Sequence, residues 1–135
     1  MKRSVAIILF VLAAAAPARL LAHHAFAAEF DARKEVTLKG AVTRVEWVNP
    51  HVWIHVDVKK PDGKIEAWAI EAGTPNVLFR RGVTKQSLKA GTEVVIDGYQ
   101  AKDGSHRANG REVRLADGSK LFLGGSGTGA PYEIK

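Results

Sequence analysis

Apolar and polar positions alternate along most of the chain from Glu35 onward. Val36, Leu38, Gly40 and Val42 fall on one parity, then Val45 and Trp47 fall on the other. A change of parity at Thr43-Arg44, in a run that also carries Gly40, predicts a long, bent first strand with a bulge. Asn49-Pro50 ends it as a turn. The next run is the most regular: Val52, Ile54, Val56 and Val58 alternate with His51, Trp53, His55 and Asp57. That period of two, with β-branched residues on one face, predicts a half-buried strand. Pro61-Asp62-Gly63 turns the chain into a third strand over residues 65–72, with Trp68 and Ile70 on one face and Ala67, Ala69 and Glu71 on the other. Thr74 then offers a cap and Pro75 sits at a first helical position, where its missing N–H costs nothing, so a short helix is predicted over 75–81. A fourth strand over 92–99 carries Val94 and Ile96 inward. Asp103-Gly104-Ser105 leads to a fifth over 109–116, with Val113 and Leu115 in parity, and Asp117-Gly118 closes a last hairpin onto 120–122.

Three strands, a short helix, two strands and a small sixth define an all-β class with one short helix. This is the element order of an OB-fold-like Greek-key barrel of five to six strands. A bulged, glycine-bearing first strand suits it, because that strand must bend to serve both halves of the barrel. An open β-sandwich or an up-and-down sheet is the alternative. Residues 23–34 show no strand alternation and are too short for a stable lone helix, so they are expected to form an N-terminal arm. The barrel domain then spans 35–123, and the Gly-rich residues 124–135 are expected to be a flexible tail.

Residues 1–22 change the charge argument. Lys2 and Arg3 precede an apolar run of twelve residues, Val5–Ala16. That run is shorter than the about 20 residues a membrane-spanning helix needs, and it suits a secretory signal. Small residues favour cleavage after Ala22, with Ala18 and Ala27 as competing sites. A periplasmic or secreted protein with no transmembrane anchor after cleavage is expected. The full chain carries 20 Lys+Arg against 14 Asp+Glu, but Lys2, Arg3 and Arg19 lie in the leader, leaving a formal excess of three. An excess of that size serves solubility and falls short of an electrostatic footprint for nucleic acid, so no nucleic-acid partner is expected. The absence of cysteine excludes disulfides, thiolate metal sites and thiol nucleophiles.

Candidate chemistry rests on histidine and tryptophan. With cleavage after Ala22, His23 and His24 open the mature chain, and a free amine beside an imidazole is a good chelate for Cu(II). His51 and His55 share one face of a strand, but four residues place them about 13 Å apart, too far to share a metal ion. His51, at a strand start near a barrel mouth, is the candidate third ligand; the alternative is that it caps the Asn49-Pro50 turn. His106 is expected in an exposed turn. Trp53 is predicted to face outward beside His51 and His55, so Asn49, His51, Trp53 and His55 form a candidate ligand-binding surface, which Phe26 and Phe30 of the arm would join or cover. No GxSxG, HExxH, Walker loop or strand-linked GxGxxG occurs, and no enzyme activity is expected.

The segments HHAFAAEFD, VEWVNPHVWIHVDV and LKAGTEVVIDGYQAKDGS resemble a family of small exported bacterial proteins classed as a domain of unknown function. Members begin the mature chain with His-His-Ser/Ala-Phe-Ala and carry Asn-Pro-His-x-Trp after the first strand. The matching positions are His23, His24, Phe26, Phe30 and Asp31, then Asn49, Pro50, His51 and Trp53. Ala25 stands where serine is common, so no role of that hydroxyl carries over. The resemblance implies export and a small β-barrel, and implies no activity. A looser likeness to periplasmic OB-fold stress-tolerance proteins rests on element order alone. The expected function is therefore an exported, non-enzymatic binding or interaction domain for a small ligand or an envelope protein. Copper(II) binding by His23, His24 and His51 is the alternative, and no other cofactor is implied.

Overall fold

A computed structural model of the chain describes residues 25–125 and 128–133. Its elements are α1 (Ala25–Glu29), β1 (Phe30–Glu46), β2 (Trp53–Lys59), β3 (Ile65–Glu71), α2 (Pro75–Arg80), β4 (Glu93–Ala101), β5 (Arg107–Leu115) and β6 (Lys120–Phe122), followed by a 3₁₀ turn at Pro131–Glu133. The strands form one mainly antiparallel sheet in the order β3-β2-β1-β4-β5-β6, and a parallel β3–β5 pairing joins its two halves into a ring. This ring, with α2 between β3 and β4, is that of an OB-like barrel.

Local chemistry accounts for the turns. Asp62, Asp103 and Asp117 each accept a hydrogen bond from the backbone N–H two residues on. The glycine after each aspartate has φ between 77° and 85°, a conformation glycine adopts without a Cβ clash. Thr74 caps α2 by accepting from the Val77 N–H, and Pro75 follows at the first helical position, as its sequence predicts.

β1 serves both halves of the barrel. Its first part pairs with β4 and its second with β2, with a register shift between Val42 and Arg44, where the parity change predicts a bulge. At Gly40 a Cβ would collide with the Asp57 backbone, so the two strands can cross there only over a glycine. Val52, Ile54, Val56, Trp68, Ile70, Val94, Ile96 and Val113 fill the interior, with Leu78 of α2 closing one end.

Two segments differ from expectation. Residues 25–34 are α1 and the start of β1, paired through Phe30 and Ala101, with residues 31–34 looped out before pairing resumes at Glu35 and Tyr99. An excursion of this kind leaves no alternation in the sequence. The described part of 124–135 is docked: the Phe26 N–H donates to the Thr128 carbonyl at 3.1 Å, and Phe26, Phe30, Tyr99, Ala101 and Ala130 form a second core with Tyr132 packed against it. The leader 1–22 lies outside the described residues. Among the described residues no helix is long and apolar enough to cross a membrane.

Candidate functional site

The alternation of β2 decides which side chains reach the surface. With Val52, Ile54 and Val56 buried, His51, Trp53 and His55 point to the other face. Strand register then draws two rows across the sheet. Glu46, Trp53, Glu71 and Asn109 stand side by side on β1, β2, β3 and β5; Arg44, His55, Ala69 and Arg107 form the adjacent row. Each row spans about 14 Å, three interstrand spacings. Only because β3 closes on β5 do Arg107 and Asn109 join the other residues.

The first row centres on Glu71, which is 8% exposed. Burial holds its carboxyl above the ordinary carboxylate range, and Glu29 adds to this. His51, Arg107 and a hydrogen bond with Asn109 act in the opposite direction. His51 Nδ1 lies 3.5 Å from Glu71 Oε1. Asn109 Oδ1 accepts from the Tyr132 hydroxyl at 2.8 Å, which ties the C-terminal segment to the same network. Arg107 stacks its guanidinium over Trp53, 5.4 Å from the ring centroid, while its Nη2 meets Glu29 Oε2 of α1 at 2.8 Å.

The second row borders a pit. Ala67 and Ala69 leave space where larger side chains would stand, and Arg44, His55, Trp68 and His106 wall it, enclosing about 370 Å³. Trp68 stacks on His106 with centroids 4.9 Å apart and donates from Nε1 to Glu66. Arg44 holds Glu46 through two bonds, and this pairing is the main cause of a lowered Glu46 pKa. His55 Nε2 is shielded from solvent and stands 3.2 Å from Glu46 Oε1, without the alignment of a hydrogen bond. The face thus combines planar aromatic surface, guanidinium, imidazole and carboxylate groups around a small-residue floor. That arrangement can hold a polar molecule by stacking and multiple hydrogen bonds.

A model described as a family of unknown function, DUF6152, matches residues 9–110. The chain belongs to this family. The matched span contains every residue of both rows and stops inside β5, so Tyr132 lies beyond it. No curated protein and no solved structure matches the chain.

Of the residues singled out from the DUF6152 sequence, His51, Trp53 and His55 come together on the face. Asn49 is exposed in the preceding turn, joined to Pro50 by a cis peptide. Phe26 and Phe30 are not surface residues: at 4% and 2% exposure they pack against each other and Tyr99. The apolar driving force that would make them ligand contacts is spent on the second core. His106 is half-exposed, as its turn suggests, and walls the pit. His23 and His24 lie outside the described residues, and among the described residues no three His, Asp or Glu side chains converge as a metal site. Glu71, Arg107 and Asn109 are additions from the tertiary fold. The one local signal for Glu71 is its parity: it ends β3 on the face opposite Trp68 and Ile70.

Proposed function

We propose that this chain is an exported, non-enzymatic binding domain that holds a small polar ligand on the outer face of β1, β2 and β3. The observation that carries this reading is the double row of Arg44, Glu46, Trp53, His55, Glu71 and Arg107 beside an alanine-floored pit. A row bearing carboxylates lies against a row bearing guanidinium groups, which suits a neutral or zwitterionic molecule with several hydrogen-bonding groups and is a poor track for a phosphate backbone. Export rests on the basic start and apolar run of residues 1–22. The test is nuclear magnetic resonance of the isotope-labelled mature protein against sugars, amino acids and dicarboxylates. A ligand is expected to shift amides of residues 51–57 and 67–71 and to bind at least about tenfold more weakly to His55→Ala and Arg107→Ala, a loss of about 1.4 kcal/mol. Shifts confined to other surfaces, or none with any compound, overturn the reading.

A second reading, copper(II) binding, draws on the His51–Glu71 pair. Glu29, the last residue of α1, acts electrostatically on that pair's carboxylate, so α1 ends near the His51–Glu71 pair. In this reading the amine and imidazole of His23, the ring of His24 and the imidazole of His51 supply the nitrogen donors that Cu(II) favours. Affinity should fall in acid as imidazoles protonate. Copper titration followed by electron paramagnetic resonance should lose nitrogen coupling on His23→Ala and weaken on His51→Ala. Unchanged binding after adding a residue ahead of His23 removes the amine from the site and ends this reading.

A further inference from the structure

A second cleft, of about 530 Å³, opens at the other end of the β2–β3 hairpin and shares only Asp57 with the pit. Its floor is apolar or small: Gly40, Ala41, Val94, Val95 and Leu115. Ile65 stands at its edge with 57% of its surface exposed, although it is a large aliphatic residue at the start of a strand. The charges around this floor are sorted. Lys39, Val95 and Arg114 are neighbours in one row of β1, β4 and β5; Asp57, Ala41 and Glu93 are neighbours in the next row of β2, β1 and β4. Lys59 follows Asp57 by two residues on the antiparallel β2, and so lies toward the Lys39 end. Arg114 is engaged by Asp97 at 3.1 Å. Lys39, Lys59, Asp57 and Glu93 take part in no ion pair among the described residues.

The cleft therefore has a basic end, an acidic end and an apolar middle. Lys39 and Ala41 are two residues apart on β1, so the two rows are about 6.7 Å apart. Two residues of extended peptide span about 7 Å. A single fatty carboxylate would leave the acidic end unanswered, and a free amino acid would be too short to reach both ends.

We propose that this cleft binds an apolar dipeptide with free ends, its carboxylate toward Lys39 and Lys59, its ammonium group toward Asp57 and Glu93, and its side chains over Ile65, Val95 and Leu115. The lysine stems line the apolar wall while their ammonium groups stay at the mouth. Charge complementarity at both ends fixes direction and length, and apolar burial supplies the remaining affinity. The site is distinct from the face proposed above and does not depend on it.

Titration calorimetry and amide shifts with leucyl-leucine test the proposal on the mature protein. Saturable shifts of residues 93–95 and 114–116 are expected. Acetylating the probe's amine, or amidating its carboxylate, should each weaken binding about fivefold, the loss of one exposed charge pair. Lys39→Glu with Lys59→Glu should weaken leucyl-leucine about tenfold while leaving leucyl-leucinamide no weaker, which separates lost recognition from a damaged fold. His55→Ala should leave leucyl-leucine binding unchanged. No saturable shift at millimolar probe, or equal binding of the free and blocked peptides, overturns the proposal.

Discussion

Glu71 is the residue at which the second core and the outer face meet, and its charge has a direction that can be measured. Burial raises its pKa from the ordinary 4.5 in the folded protein. The folded state therefore binds that proton more tightly than the unfolded chain. The stabilisation is complete below the unfolded pKa and is lost as pH rises through the higher folded value. Glu71→Gln keeps the shape and removes the ionisation. Its stability relative to the parent should improve from about pH 4 toward neutrality, with the largest gain at neutral pH, measured by urea unfolding across that range. A relative stability that falls over the same range would mean that His51 and Arg107 outweigh the cost of burying the carboxylate. Ile54 is a simpler case. It is fully buried in the barrel, so Ile54→Ala should cost about 2–5 kcal/mol. A loss below about 1 kcal/mol would mean that β2 does not present this face to the interior.

Among the elements, β2 and β6 are legible in the sequence to within about two residues, because alternation marks β2 between the Asn49-Pro50 and Asp62-Gly63 turns and the Asp117-Gly118 turn opens β6. The first residues of β1 are not legible, since residues 31–34 loop out between two paired stretches and interrupt the period. The C-terminal segment misleads for a different reason: glycine there permits close packing. A Cβ on Gly124 would run into the Tyr132 ring, so a composition that suggests flexibility instead makes room for an aromatic lid. The site divides the same way. Trp53 and His55 follow from period two on one strand, whereas Arg107 and Asn109 reach them only through the parallel pairing of β3 with β5, for which no local pattern exists. α1 and the C-terminal segment should behave as one unit. Phe26→Ala removes the ring between Phe30 and Tyr99 and should cost about 3 kcal/mol. It should also speed hydrogen exchange at residues 128–133 while leaving β2 protected. Unchanged exchange at 128–133 would show that the two segments are held separately.

For the molecule as a whole, closure of the ring depends on the bend of β1 and on a short seam. β3 and β5 share only the pairs Ala69–Arg107, Ile70–Ala108 and Glu71–Asn109, so the angle set at Gly40 must be correct for the seam to meet. Gly40→Ala places a methyl group against the Asp57 backbone, which cannot rotate away as a side chain would. It should cost about 1–3 kcal/mol or more, and exchange should rise first at residues 69–71 and 107–109. A variant as stable as the parent would mean that β2 can shift without opening the ring. The contact between Phe26 and Thr128 has another consequence, for chain order. These residues are about a hundred positions apart in sequence, yet a backbone hydrogen bond joins them. The barrel is thus nearly a closed loop of polypeptide, and where that loop is cut is a separate matter from how it folds. Joining the ends with a short Gly/Ser linker and opening the chain at the exposed Asp62–Gly63 turn should give a circular permutant with the same near-ultraviolet signature and cooperative unfolding. A permutant that fails to unfold cooperatively would mean that the β2–β3 connection must be intact before the seam can close.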